Sequence, residues 1–382
     1  VKGVSIGDGG AIKLGEETVL YRHEKTFVNQ TVFAVNVDAG APAEKVDRLL
    51  AAVRDYTLER VGETIKVELI CVSQKDAGAE AFLALARKAI EIRPLILKSD
   101  DAQTLKKAAA EFAGKGCVLA SATPATAFEL SAAATEGGHA LGVTAGDIDE
   151  LAATTASIKE SGFNELILDF RPADLGEAFR LNSILRIAAI KDDCKSVGYP
   201  TLRVLECGDQ LDCTAEAVTE ISKYGGICVL PDFDPAQLSA LMTLRLNVYT
   251  DPQKPIQVEP KVYPIGEPNR SSPVFLTTNF SLTYFIVSGE IENSGISAWL
   301  VVPECEGMSV LTAWAAGKFS GAAVGKFIKE IGLENDIDSR TLIIPGYVAQ
   351  ISGEIEEVLP GWTIMVGPEE AGDIESFVKQ RL

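Results

Sequence analysis

Short apolar runs recur through the first 250 residues, at Val32–Val37, Ile65–Val72, Pro94–Leu97, Cys117–Ala120, Ala140–Val143, Leu166–Asp169, Leu202–Cys207 and Ile227–Leu230. They are rich in Val, Ile and Leu and mostly do not alternate with polar residues. Strands buried on both faces of a parallel sheet have this composition. Between the runs lie segments with helical spacing. In Ala43–Arg60, Val46, Leu49, Leu50, Val53 and Tyr56 recur at three and four, the stripe of an amphipathic helix. Similar stripes cross Ala79–Ile92, Ala102–Phe112, Ala125–Ala134, Ile148–Ile158, Glu177–Ile190, Ala215–Lys223 and Pro235–Leu246. Asp100, Thr123, Asp147 and Asp234 stand where helix N-caps belong. Alternating β and α predicts parallel strands joined by right-handed crossovers, and eight such units predict a closed (β/α)8 TIM barrel over residues 31–250.

Residues 1–30 read as a Gly-rich lead with a hairpin through Ile12–Leu20, and the prolines of residues 251–272 read as a linker. From Pro273 the pattern restarts on a smaller scale. Strands are expected at Val274–Leu276, Trp299–Val302, Leu342–Ile344 and Thr363–Val366, and helices at Val310–Ile331, Val348–Leu359 and Ile374–Gln380. This predicts a smaller, Rossmann-like doubly wound α/β domain over residues 273–382. Three of its strands end in small or turn-forming residues: Thr277-Thr278-Asn279, Pro345-Gly346-Tyr347 and Gly367–Gly372. Glycines allow close backbone approach. Three such loops on one sheet edge would form a flat ligand cradle rather than a charged catalytic pocket.

Composition narrows the function. The chain has 382 residues, 47% hydrophobic and 23% charged, with a formal net charge of -19. That charge argues against a nucleic-acid backbone or an anionic membrane as partner. No apolar run approaches the ~20 residues of a spanning helix and no signal-peptide pattern is present, so cytoplasm is the expected location. The chain opens at Val1, so an earlier segment is either removed or lies outside this sequence. Seven scattered cysteines lack zinc or iron–sulfur spacing, and an odd count without a framework fits a reducing compartment. Cys71, Cys117, Cys207 and Cys228 fall in apolar runs and read as small buried hydrophobes. His23 and His139 are the only histidines, so no histidine-rich metal site is encoded. No nucleophile elbow or phosphate-binding loop appears. The barrel strand ends offer Asp38, Lys98, Ser99, Ser121, Thr144, Asp169 with Arg171, Glu206 and Asp232. Asp169-Phe170-Arg171-Pro172 is the most site-like of these, against a plain reading in which its charges pair or cap a helix.

Longer motifs then bring a resemblance. Tyr249-Thr250-Asp251-Pro252, Thr277 through Tyr284, Ser309-Val310-Leu311-Thr312-Ala313, Ile343-Ile344-Pro345-Gly346, Val366 through Ala371 and Leu20-Tyr21-Arg22-His23-Glu24 closely resemble the large (gamma) subunit of corrinoid iron–sulfur proteins of the acetyl-CoA synthase/decarbonylase system. The likeness runs from about Gly15 to the C-terminus. It implies a TIM barrel followed by a corrinoid-binding domain, and a methyl carrier of the reductive acetyl-CoA (Wood–Ljungdahl) pathway. Such a carrier takes a methyl group from methyltetrahydrofolate on a separate methyltransferase and passes it to acetyl-CoA synthase/CO dehydrogenase. A small subunit is the implied heterodimer partner. Family members also carry an N-terminal four-cysteine module holding a 4Fe–4S cluster, and this sequence starts beyond it. The competing reading is a pterin-dependent methyltransferase barrel with a regulatory α/β domain.

The resemblance assigns corrinoid contacts to Thr278, Tyr284, Met308, Ser309, Val310, Leu311, Thr312, Gly346, Gly367 and Ala371, and no metal ligand to this chain. Many corrinoid proteins ligate cobalt through the histidine of a D-x-H-x-x-G motif. That motif is missing here, which implies a base-off, His-off corrinoid with Thr312 near its lower face. Chemistry would then reside at cobalt rather than at a catalytic side chain.

Overall fold

The computed structural model describes residues 1–60, 63–251 and 255–382. Pro252, within the stretch read as a linker, lies outside the described residues. One unit holds Val1–Arg60 and Thr64–Thr250, and the second holds Asp251–Leu382.

The first unit is a closed barrel of eight parallel strands: β1 (Val32–Asp38), β2 (Leu69–Ser73), β3 (Leu95–Lys98), β4 (Val118–Ala122), β5 (Ala140–Val143), β6 (Leu166–Asp169), β7 (Thr201–Val204) and β8 (Ile227–Leu230). Helices α1 (Ala43–Asp55), α2 (Ala79–Ile90), α3 (Ala102–Glu111), α4 (Ala127–Gly137), α5 (Ile148–Glu160), α6 (Leu175–Ile190), α7 (Gln210–Ser222) and α8 (Pro235–Val248) alternate with them. Along β1, Phe33, Val35 and Val37 pack in the large cluster that includes the helices, while Val32 and Ala34 join a second cluster in the lumen. Burial on both faces is why these strands read as continuous apolar runs. A hairpin of Val4–Ile6 with Ile12–Leu14 places Val4, Ile6 and Leu14 in the lumen cluster.

Several expectations are corrected. The hairpin pairs Val4–Ile6 with Ile12–Leu14 instead of running through Leu20. The run from Ile65 is interrupted, since Glu63–Ile65 and Leu58–Arg60 form their own two-stranded sheet. The α3 cap is Asp101, whose carboxylate accepts from the Gln103 and Thr104 amides, and not Asp100. At α4 the capping position is Thr126 rather than Thr123, whereas Asp147 and Asp234 cap as expected. Cys207 lies beyond the end of β7 and forms a disulfide with Cys213, with Cα atoms 5.3 Å apart. A loop brings together two residues that spacing alone left unpaired.

The second unit is a five-stranded sheet in the order β9 (Lys261–Ile265), β11 (Ala298–Val302), β10 (Val274–Leu276), β12 (Thr341–Ile344), β13 (Thr363–Val366). β9 is antiparallel to β11, and the other neighbours are parallel. β9 lies in the stretch read as linker; its Pro264 is tolerated because β9 is an edge strand. Val274 and Leu276 pack with α11 (Gly321–Glu330) and α12 (Ser352–Val358), while Phe275 packs with α9 (Ser281–Asn293) and α13 (Ile374–Arg381). Helices therefore cover both faces. The single helix expected over Val310–Ile331 is two, α10 (Val310–Ala315) and α11, separated by a turn in which Gly317 has φ +71°.

α11 and α12 approach so closely at Gly321 that a Cβ there would lie 2.2 Å from Glu354 Cβ and 2.7 Å from its carbonyl carbon. Alanine gains about 1 kcal/mol in helix propensity, but overpacking against backbone costs about 1–3 kcal/mol. Gly321→Ala should therefore lower the denaturation midpoint of this unit. All three tryptophans, Trp299, Trp314 and Trp362, belong to it, so their fluorescence in urea reads the loss directly.

Candidate functional site

The chain leaves β10 through α9 to reach β11 on one side, then returns past β10 to build β12 on the other. The segments following β10 and β12 therefore diverge and leave a crevice outside their carboxyl ends. A cavity of about 300 Å³ occupies it. Phe275, Leu276, Thr277, Ile343, Ile344 and Pro345 contribute from the strand ends. Thr283, Ile286 and Val287 of α9 and Ser309, Val310 and Leu311 at the start of α10 form further walls, and Gly367 through Ala371 complete the lining.

Two loops are stitched together along this rim. The Gly346 amide donates to Pro368 O at 2.9 Å and the Gly367 amide donates to Ile344 O at 2.8 Å. A Cβ on Gly346 would stand 2.7 Å from Gly367 O and 2.8 Å from the Glu369 nitrogen, so only glycine allows the approach. The turn after β10 is held by Asn279, which is fully buried. Its Oδ1 accepts from the amides of Cys305 (3.0 Å) and Gly307 (3.1 Å), and its Nδ2 donates to Glu304 Oε1 (3.0 Å) and Gln257 Oε1 (3.2 Å). Asn279 thus fixes the loop that leads into α10. By contrast, the buried hydroxyls of Thr277, Thr278 and Ser281 have no hydrogen-bond partner. Burial pushes the Cys305 thiol up to about 12, so it supplies no thiolate here. At the rim, the Tyr347 hydroxyl bonds Glu370, which holds its pKa above the ordinary phenol value.

The residues proposed from the sequence divide in two. Ser309, Val310, Leu311, Gly367 and Ala371 line the cavity. Thr278 lies fully buried behind it, and Gly346 supports the Gly367 loop without lining it. Tyr284 packs against Tyr263, with ring centroids 4.6 Å apart, and Met308 packs against the core on the other face of the sheet. Thr312 is exposed, its Oγ1 3.0 Å from Ser309 Oγ. The contacts assigned from the sequence leave out Ile343 and the α9 residues Thr283, Ile286 and Val287, and Thr277 is named only as part of the cradle loop after β10. α9 has no amphipathic stripe to reveal it.

Neither histidine belongs to this unit. His139 is buried in the barrel, its Nδ1 accepting from the Cys117 amide (3.1 Å) and its Nε2 bonding Ala109 O (2.9 Å), and burial lowers its pKa. Among the described residues, no group of three or more His, Cys, Asp or Glu side chains is placed to hold a metal ion. In those same residues no helix is long and apolar enough to cross a membrane.

The family described as CO dehydrogenase/acetyl-CoA synthase delta subunit matches residues 3–378. The corrinoid/iron-sulfur protein large subunit of Moorella thermoacetica is 35% identical over 375 residues, which cover 97% of this chain and 84% of that protein. The acetyl-CoA decarbonylase/synthase complex subunit gamma of Archaeoglobus fulgidus is 33% identical, covering 99% and 83%. Its counterpart in Methanothermobacter thermautotrophicus is 29% identical, covering 99% and 86%. The family is described by a delta subunit, whereas these individual relatives are large or gamma subunits. The chain belongs to the family of corrinoid/iron-sulfur protein large subunits and acetyl-CoA decarbonylase/synthase gamma subunits.

Proposed function

We propose that this chain is the corrinoid-bearing subunit of an acetyl-CoA synthase/decarbonylase system, a methyl carrier in the reductive acetyl-CoA pathway. The observation that carries the reading is the cleft between β10 and β12, an apolar hollow at the sheet's point of reversal in a chain of this family. When bound, a corrinoid supplies a cobalt centre that can accept a methyl group and release it.

The residues fit such a group. The cavity is at the small end of the range for compact ligands, so it would hold part of a corrinoid rather than the whole group. Exposed Leu311, Trp314 and Tyr347, with Ile286, offer that rim flat apolar surface. Unpartnered Thr277, which lines the cavity, would supply a hydroxyl for a ring amide or the tail. This unit has no imidazole to place under the ring, and the exposed Thr312 hydroxyl is only a weak oxygen donor. Without a strong protein donor, a bound cobalt centre would be more electron-rich.

The partners follow from the resemblance: a small corrinoid-protein subunit, a methyltetrahydrofolate methyltransferase, and acetyl-CoA synthase/CO dehydrogenase. The naming of the relatives as subunits of a complex supports that assembly. No residue of this chain is assigned to an iron–sulfur cluster.

The purified chain, incubated with hydroxocobalamin and desalted, should retain stoichiometric cobalt and a corrinoid absorption spectrum without His-on features. Loss of all cobalt on desalting, together with turnover of methyltetrahydrofolate by the cobalt-free protein, would instead establish a pterin methyltransferase. Ala371→Trp, which fills the cavity, should reduce retained cobalt at least tenfold while leaving tryptophan-detected stability within about 1 kcal/mol. Thr277→Val removes an unpaired buried hydroxyl, so the ligand-free protein should gain about 1 kcal/mol in urea denaturation while its corrinoid affinity falls.

A further inference from the structure

The barrel carries buried polar groups of its own, and the cleft in the other unit uses none of them. Ala34, Cys71, Ile96 and Ile167 form part of the apolar lumen. Continuing their two-residue alternation places Asn36, Ser73, Lys98 and Asp169 in the next inward layer, at the carboxyl ends of β1, β2, β3 and β6. Register sets Ser73 beside Lys98. Three of these side chains hold a buried atom with no partner: Asn36 Oδ1, Ser73 Oγ and Asp169 Oδ2. Ser73 and Asp169 are 3% and 1% exposed. The Lys98 ammonium is within electrostatic reach of Asp169, yet among the described residues it closes no ion pair. Ser121 bonds Asp169 and accepts from Arg171 Nη2 at 3.2 Å, and the Arg171 charge also acts on the carboxylate without closing an ion pair with it. Burial, the dominant effect, pushes the Asp169 carboxyl above the usual range.

Buried groups left unpaired in a folded protein call for an explanation, and the carboxyl end is where such barrels bind ligands. The orphans define what would satisfy them. Asn36 Oδ1 and an ionised Asp169 Oδ2 accept only, so they pair with N–H or O–H donors. Lys98, only half-buried, donates only and would pair with a carbonyl or similar oxygen. An amide or ureide presents both within one planar group. We propose that the carboxyl-terminal mouth of the barrel is a second binding site, for a small molecule bearing an amide or ureide.

Isothermal titration of the full chain with hydantoin and with uracil tests this. Saturable binding is expected, weakened about tenfold or more by Asp169→Asn and by Lys98→Met. Binding should persist in Ala371→Trp, because that substitution lies in the other unit. A purely structural Asp169 would behave differently: Asp169→Asn would lower the barrel's melting temperature in far-UV circular dichroism and leave any binding unchanged. That result, or no saturable binding of either ureide to millimolar concentration, overturns the proposal. An unchanged or raised melting temperature with lost binding supports it.

Discussion

The cleft exists because parallel strands demand right-handed crossovers and the crossovers on either side of β10 run in opposite directions along the sheet. Two loops that would otherwise pack together are pulled apart, and no side chain needs to be removed to make room. That geometry alone gives an open crevice. Making it a defined site requires the turn after β10 and the loop before α10 to keep fixed positions. A single amide does much of that. Asn279 satisfies the Cys305 and Gly307 amides while its nitrogen holds Glu304 and Gln257. A buried amide left unpaired costs about 1–3 kcal/mol, so removing Oδ1 would set two such penalties against the loop's present path.

The contrast within one turn is informative. Asn279 has its bonding groups engaged, whereas Thr277, Thr278 and Ser281 keep hydroxyls without partners a few residues away. Folding alone would favour Val or Ala at those places, since an unpaired buried hydroxyl only lowers stability. The same imbalance appears at the mouth of the barrel, where Asn36, Ser73 and Asp169 are left over. These particular groups sit at or just beyond carboxyl ends of parallel strands, the end at which such sheets bind ligands, while Glu17, Arg22, Asn182, Arg186 and Arg245 hold unpartnered atoms elsewhere. The well-paired buried charges lie elsewhere. Arg203 meets Glu216 at 2.5 Å and Glu220 at 3.1 Å, and Asn182 closes the remaining valence of Glu220. That network ties β7 to α6 and α7, leaving Asn182 Oδ1 unpartnered.

The barrel was legible from sequence because its strands are buried on both faces and its helices on one. Each property leaves its own period, so all eight runs overlap observed strands. Boundaries were less clear. The run ending at Cys207 overshot β7 because Leu205 and Cys207 continue its composition after the ladder has ended. The Cys207–Cys213 bridge depends on how a loop folds back, which spacing does not encode. β9 was hidden by Pro264, a residue that argues against a central strand but is acceptable on an edge. In the cleft, Ser309 through Leu311, Gly367 and Ala371 were proposed from the sequence because turn chemistry and motif likeness are local, and they line the cavity. Thr278 was chosen over Thr277 because side-chain direction at the end of a three-residue strand is not written in composition.

The missed helix says most about the site. α9 carries Leu282, Tyr284, Phe285, Ile286 and Val287 in nearly unbroken order, so no polar face marks its outer side. Leu282, Phe285 and Ile286 are exposed, in a chain whose net charge of -19 shows no shortage of polar residues elsewhere. An isolated soluble helix with that outer face would be a poor design, because exposed apolar patches promote association. It becomes intelligible where Thr283, Ile286 and Val287 wall the cleft and their apolar neighbours continue the same surface outward. Exposed Leu311 and Trp314 on α10 extend the pattern. The rule by which amphipathic helices are recognised fails here because α9 has a second surface to cover besides its own core. Local inconsistency of this kind is expected at functional sites, and here it coincides with the crevice that strand order makes on its own.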